Sequence, residues 1–428
     1  MSSTDKKNYM LPIVVMILLF GMISFVTNLA APMGVVLKNQ FGVSNAMGML
    51  GNLANFIAYA FMGIPAGLLL QKIGYKKTAM IAVAVGFVGV GIQYLSGGAG
   101  SFAIYLVGAF IAGFSMCMLN TVVNPMLNTL GGGGNNGGRL IQTGGTFNSL
   151  CATLVPILVG ALVGDVTRAN ITDVYPVMYV ALGIFAIAFI ILSVVSIPEP
   201  HMVKKEKNGE KDKYSALSFR HFILGAIGIF VYVGIEVGIP GTLNLFLADT
   251  SVAGLDATSA GFVTGTYWFL MLIGRFIGAS IGGKVSSKSM LTVASGLGLV
   301  LVLLAIFLPI ATKVSMPVFQ SVNGSLSFGM MEVPINAMFL VLCGLCTSVM
   351  WGGIFNLAVE GLGKYVAAAS GIFMMLVCGG GILPLLQNLI ADNVSYMASY
   401  WVVFAGLIYL LYYAVSGSKN VNTDIPVE

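Results

Sequence analysis

The residues best placed to do chemistry sit where the chain is otherwise apolar. Asn120 and Asn124, four apart in Met118-Leu119-Asn120-Thr121-Val122-Val123-Asn124-Pro125, share one helical face. Pro125 removes a backbone hydrogen bond and loosens the helix there. Amides and a weakened helix persist in lipid only where they face protein or a watery cavity, so this stretch reads as the wall of a polar path. Glu236 is the one acid near the middle of an apolar run. A charge at that depth costs at least about 2.5–3.5 kcal/mol. The carboxyl is therefore expected to be solvated, paired or protonated, as an acceptor for a ligand hydroxyl, a proton or cation site, or a helix support beside Pro240-Gly241. Arg275 lies two-thirds of the way down its own run. That is too deep for an easy pair with Glu236, and the expected partner in a structural or gating latch is Glu360.

Polar and aromatic side chains recur at helical spacing. Asn52, Asn55 and Tyr59 share a face, as do Thr264, Tyr267, Trp268 and Met271. Trp351, Phe355 and Asn356 extend the set, and Gln142, Asn148 and Asn244 add amides in other runs. Sugars need groups that both give and accept hydrogen bonds, and a flat surface for the apolar ring face. The competing reading is amides that tie helices together and tryptophans that anchor at the interface, which Trp401 fits.

The elements that must position these groups are membrane spans. The 428 residues are 57% hydrophobic and 8% charged, with a mean hydropathy of +0.95; a soluble protein carries about 25% charged residues. Apolar runs near the ~20 residues a bilayer needs recur at about 11–34, 48–70, 79–97, 102–127, 140–163, 176–197, 221–247, 259–282, 290–312, 335–357, 367–390 and 398–417. The expected fold is all-α, integral to the membrane, with twelve transmembrane helices in two six-helix bundles. The amino-terminal bundle would be 1–197, the linker 198–220 and the carboxy-terminal bundle 221–428. The first run follows Lys6-Lys7 but is too long for a signal peptide, so it is expected to be retained. With both termini cytoplasmic, sixteen of the twenty basic residues fall in tails or inner loops; Lys38, Arg168 and Lys313 fall outside and Arg275 within a span. The outer segment Lys313 to Pro334 exceeds a turn and is expected to form a partial helix or lid.

Other features carry no chemistry. The five cysteines, including the Cys343/Cys346 pair, lie in apolar spans without the polar partners a metal or redox site needs. The run Gly131 to Gly138 lacks the Lys-Ser/Thr of a phosphate loop. No cofactor, metal or nucleic-acid partner is expected, and no enzymatic nucleophile or base cluster is present in the spans.

The halves echo each other: Gly113 to Gly131 parallels Gly344 to Gly363, and Pro156 parallels Pro384. Gly67 to Lys77, with Lys72 and Gly74 in place but Gln71 where an acid is usual, resembles the signature loop of the major facilitator superfamily. The Asn120–Pro125 motif, Leu130-Gly131, Arg139, Thr146 to Ser149, Tyr232 to Val237, Ile273 to Gly278 and Gly361 to Lys364 resemble the fucose permease and glucose/galactose permease family over nearly the whole chain. That resemblance implies a sugar transporter, commonly a proton symporter. Two departures stand out: Asn120 replaces the family's glutamate, and Ala31-Pro32 lies where the fucose permease has an aspartate. A sugar-contacting glutamine also appears as Gly145, with Gln142 one turn earlier.

The function expected is alternating-access import of a small neutral sugar, a hexose or 6-deoxyhexose, into the bacterial cytoplasm by an inner-membrane monomer in contact with lipid. Expected substrate contacts are Asn52, Asn55, Asn120, Asn124, Gln142, Asn148, Glu236, Asn244, Tyr267, Trp268, Trp351 and Asn356. Lys72, Gly74, Arg139, Arg275 and Glu360 are expected to gate or support. Proton symport through Glu236, sodium symport and uncoupled diffusion all remain open, as do amino sugars and sialic acid. A non-transporting sugar sensor is the rival class, disfavoured by the short linker and tails.

Overall fold

The computed structural model describes residues 9–29, 33, 36–37, 40–42, 50–163, 169–199, 213–322 and 325–427. Lys38, Arg168, the linker lysines 204–211, Ala31-Pro32 and the Asn52 side chain lie outside what is described.

Long apolar helices dominate: α1 (Met10–Asn28), α2 (Leu50–Ala99), α3 (Phe102–Leu130), α4 (Gly134–Val163), α5 (Tyr175–Val194), α6 (Arg220–Ala248), α7 (Ala257–Ile281), α8 (Ser287–Phe307), α9 (Ile335–Thr347), α10 (Met350–Val359), α11 (Val366–Met375), α12 (Gly379–Asn393) and α13 (Tyr396–Tyr412). At 1.5 Å per residue the fifty residues of α2 would run about 75 Å, against a hydrocarbon core of about 30 Å. Gly74 divides it: its φ of 85° and ψ of 176° belong to a region open essentially to glycine alone. The α9–α10 and α11–α12 pairs are each one crossing with an interruption. Ten segments of the described residues are apolar and long enough to cross, and the one holding Gly74 counts twice. The remaining rod, α4, has the length, but Arg139, Gln142 and Asn148 make it more polar.

One element departs from the all-α expectation. Strands β1 (Lys313–Val322) and β2 (Ser325–Pro334) form an antiparallel hairpin in place of a partial helix. Val314, Met316 and Val318 alternate with Ser315 and Pro317, which suits a half-buried strand; Met316 and Val318 are buried. β1 packs along α7 and touches α9.

The helices before the linker, α1–α5, and those after it, α6–α13, form two sets that meet mainly toward the end where Glu199 and Lys213 lie. There α2 packs against α11, and α4 against α7 and α10. Close approach needs glycine: a side chain on Gly67 would meet the Gly371 Cα at 2.9 Å.

Candidate functional site

A cavity of about 570 Å³ lies between the two sets, lined from α1, α2, α3, α4, α6, α7 and α10. Its volume falls in the range usual for small-molecule sites.

At its wall stands an ion pair. Glu236 Oε1 lies 3.1 Å from Arg275 Nη2, both side chains nearly buried. This corrects the expected pairing of Arg275 with Glu360. The axial offset is closed because Cα–Cβ bonds tilt toward each helix's own amino terminus, and α6 and α7 run antiparallel, so the two side chains lean toward each other. Glu360 is exposed at the end of α10, and its carbonyl bonds His221 Nε2 at 2.9 Å. Arg275 also crosses to the opposite set: Nη1 donates to Ser149 Oγ at 2.6 Å and to the Gly145 carbonyl at 3.3 Å. One guanidinium thus joins α4, α6 and α7.

The prolines explain two further contacts. Pro240 has no N–H for the Glu236 carbonyl, which instead accepts the Tyr267 hydroxyl at 3.3 Å. Pro125 likewise frees the Thr121 carbonyl, and Ser370 Oγ of α11 donates to it at 2.9 Å from the other set. More cross-set bonds close the same end. Asn128 Nδ2 donates to Asn356 Oδ1 at 2.5 Å, Gln142 Nε2 to the Val349 carbonyl at 2.8 Å, and Trp351 Nε1 to Asn124 Oδ1 at 2.9 Å. Val349 sits at the break between α9 and α10, and its carbonyl also accepts the Gly353 N–H at 3.1 Å, so the Gln142 amide shares an acceptor with the first turn of α10.

Of the residues singled out by sequence, Asn120, Gln142, Asn148, Glu236, Arg275, Trp268 and Trp351 line the cavity, with Tyr59 beside them. Asn120 Nδ2 donates to Tyr59 Oη at 2.9 Å, and Asn148 Nδ2 to the Phe20 carbonyl at 2.9 Å. Others lie off it. Asn124 and Asn356 sit below, in cross-set bonds; Asn55 is buried against Gly113; Tyr267 turns to Thr347 at 2.9 Å; Asn244 is exposed on α6. Lys72 is exposed, and Arg139 lies over Gly283 at the end of α7.

Three contributions escaped the sequence reading. Ser24, Thr27 and Asn28 line the cavity from α1, at the same three- and four-residue spacing used to find Asn52, Asn55 and Tyr59. Phe319 of the hairpin reaches the cavity as well. At the Gly74 break, Glu199 accepts the Tyr75 N–H at 2.5 Å and the Lys76 N–H at 3.0 Å, so a carboxylate caps a helix amino terminus near where Gln71 replaces an acid.

Two sets of membrane helices that close on one end of a shared cavity, apolar for the most part with a few convergent polar groups, define the class, a membrane transporter. The Major Facilitator Superfamily sequence profile matches residues 13–384. The chain is 30% identical over 423 residues to the "Glucose/galactose transporter" of Brucella abortus biovar 1 (strain 9-941), covering 98% of this chain and 97% of that one. It is 21% identical over 414 residues to the "L-fucose-proton symporter" of Escherichia coli (strain K12), covering 91% and 88%. The crystal structure of FucP, a major facilitator transporter in the outward conformation, superposes with a TM-score of 0.81 at 19% identity, over 96% of this chain and all of that one; that likeness carries the fold. The chain belongs to the Major Facilitator Superfamily.

Proposed function

We propose that this protein is a proton-coupled importer of a small neutral sugar, a hexose or 6-deoxyhexose. The observation that carries the substrate class is charge cancellation in the cavity wall. Glu236 and Arg275 are spent on each other at 3.1 Å, which leaves amides, hydroxyls and aromatic faces to meet the ligand. Such a lining suits a polyol with an apolar ring face. The names of the Brucella and Escherichia relatives point the same way.

The cycle is alternating access: 1–197 and 221–428 rock about the cavity, joined by the linker 198–220. With the linker end cytoplasmic, the cross-set bonds of Asn128, Gln142, Trp351 and Ser370 form a closed inner gate, and the cavity faces outward. Glu236 is the coupling residue. Protonation removes its charge from Arg275, loosening α6 from α7 while the guanidinium keeps its bonds to Ser149 and Gly145. A bare sodium ion at Glu236 would sit against the guanidinium, and that repulsion favours the proton.

Binding is read from tryptophan fluorescence. Trp268 and Trp351 line the cavity and Trp401 does not. A monosaccharide panel should quench the purified protein saturably, and Trp268→Phe should remove part of that signal while Trp401→Phe leaves the change intact. Absence of any sugar-dependent change together with absence of uptake would overturn the substrate class.

A further inference from the structure

The β1–β2 hairpin is not only an outer loop. We propose that it is a built part of the substrate site, with Phe319 as a specificity-determining residue whose ring bounds the cavity beside Phe269 and limits the size of the sugar admitted. The inference rests on the sugar reading for its substrate and on geometry for its site.

Each strand has ten residues, so the hairpin reaches about 33 Å. Its base is tied where Ile335 N–H donates to the Thr312 carbonyl at 2.8 Å. From there β1 runs along α7, with Val318 fully buried. Phe319 stands directly opposite Phe328. Its N–H, free of the ladder, donates to Thr266 Oγ1 at 2.8 Å. Thr266 is nine residues into α7, about 13 Å along it. Strand edges at such depth persist only against protein or a water-filled cavity. The Phe319 ring stacks on Phe269 with centroids 4.6 Å apart and planes 10° apart, and both rings line the central cavity. Phe328 closes the aromatic cluster at 5.2 Å from Phe269 but is 59% exposed and does not line the cavity. The hairpin thus carries one ring inward on a support of two others.

The test uses the full chain with its native cysteines replaced, reconstituted in proteoliposomes. Phe319→Cys should react with a membrane-impermeant methanethiosulfonate from the outer aqueous phase, as should Ala152→Cys on the opposite cavity wall, whereas Ile187→Cys, exposed mid-way along α5, should resist. Phe319→Ala should raise KM for the transported monosaccharide about 2- to 10-fold, the worth of one aromatic contact, and should let disaccharides compete. Phe328→Ala should leave KM and selectivity in place, which separates a cavity contact from mere support of the cluster. An unreactive Phe319→Cys beside a reactive Ala152→Cys overturns the proposal. So does a transport-active Phe319→Ala with unchanged KM and selectivity. If the parent chain moves no monosaccharide, the sugar reading fails, and thiol labelling by itself still decides whether Phe319 bounds the cavity.

Discussion

Ser370→Ala probes the proposed inner gate at one atom. Pro125 cannot donate, so the Thr121 carbonyl depends on Ser370 Oγ, 2.9 Å away across the two halves. The residues on both sides are buried. Removing the hydroxyl leaves a buried acceptor unsatisfied, at about 1–3 kcal/mol. In the inward-open state water reaches that carbonyl, so the penalty falls on the gate-closed state, and the equilibrium should move inward by roughly 5- to 150-fold. Pro125→Ala supplies an N–H and gives Thr121 an intrahelical partner, so Ser370→Ala in that background should shift the equilibrium little. The assay is the distance distribution between spin labels at Thr172→Cys and Thr250→Cys, exposed just before α5 and just after α6, at the ends of those helices away from the linker. Ser370→Ala alone should populate the shorter distance, and the double-mutant cycle should show a coupling of about 0.5–3 kcal/mol. Equal shifts in both backgrounds, or none in either, would refute the reasoning.

Further outcomes follow from the same geometry. Arg275→Gln should lower thermal stability by about 3–5 kcal/mol, because Glu236 is left unpaired in a nearly buried site; the double variant with Glu236→Gln should recover most of it, as read by unfolding in detergent. Glu236→Gln alone should abolish accumulation against a gradient while leaving sugar exchange, measured by counterflow; undiminished accumulation would remove Glu236 as the coupling site. Gly74→Ala should cost about 1–3 kcal/mol in backbone strain and push Glu199 from its cap, since a Cβ there would lie 2.5 Å from Oε2, visible as a lower melting temperature and folded yield.

The spans were legible because burying backbone polar groups in lipid leaves helices as nearly the sole solution, and hydropathy reports their length. The polar face of α3 was legible for the same reason: Asn120 stands out against its apolar neighbours. What sequence spacing did not reveal was where side chains meet across helices. Axial depth alone kept Arg275 from Glu236, whereas the opposed tilt of their Cβ bonds brings them together. Asn124 and Asn356 looked like cavity amides but meet partners from the opposing half, a distinction periodicity within one helix does not contain. The hairpin had a local signal, alternation in β1 and Asn323-Gly324 between two strand-like runs, which a search for helical spans passed over.

The most direct test is uptake of labelled monosaccharides into proteoliposomes with proton and sodium gradients imposed independently. Accumulation of a hexose or 6-deoxyhexose above equilibrium is expected under an inward proton gradient, and none under sodium. Accumulation under sodium alone, or equilibration without accumulation, would contradict proton coupling through Glu236; no uptake of any monosaccharide would contradict sugar transport by this protein.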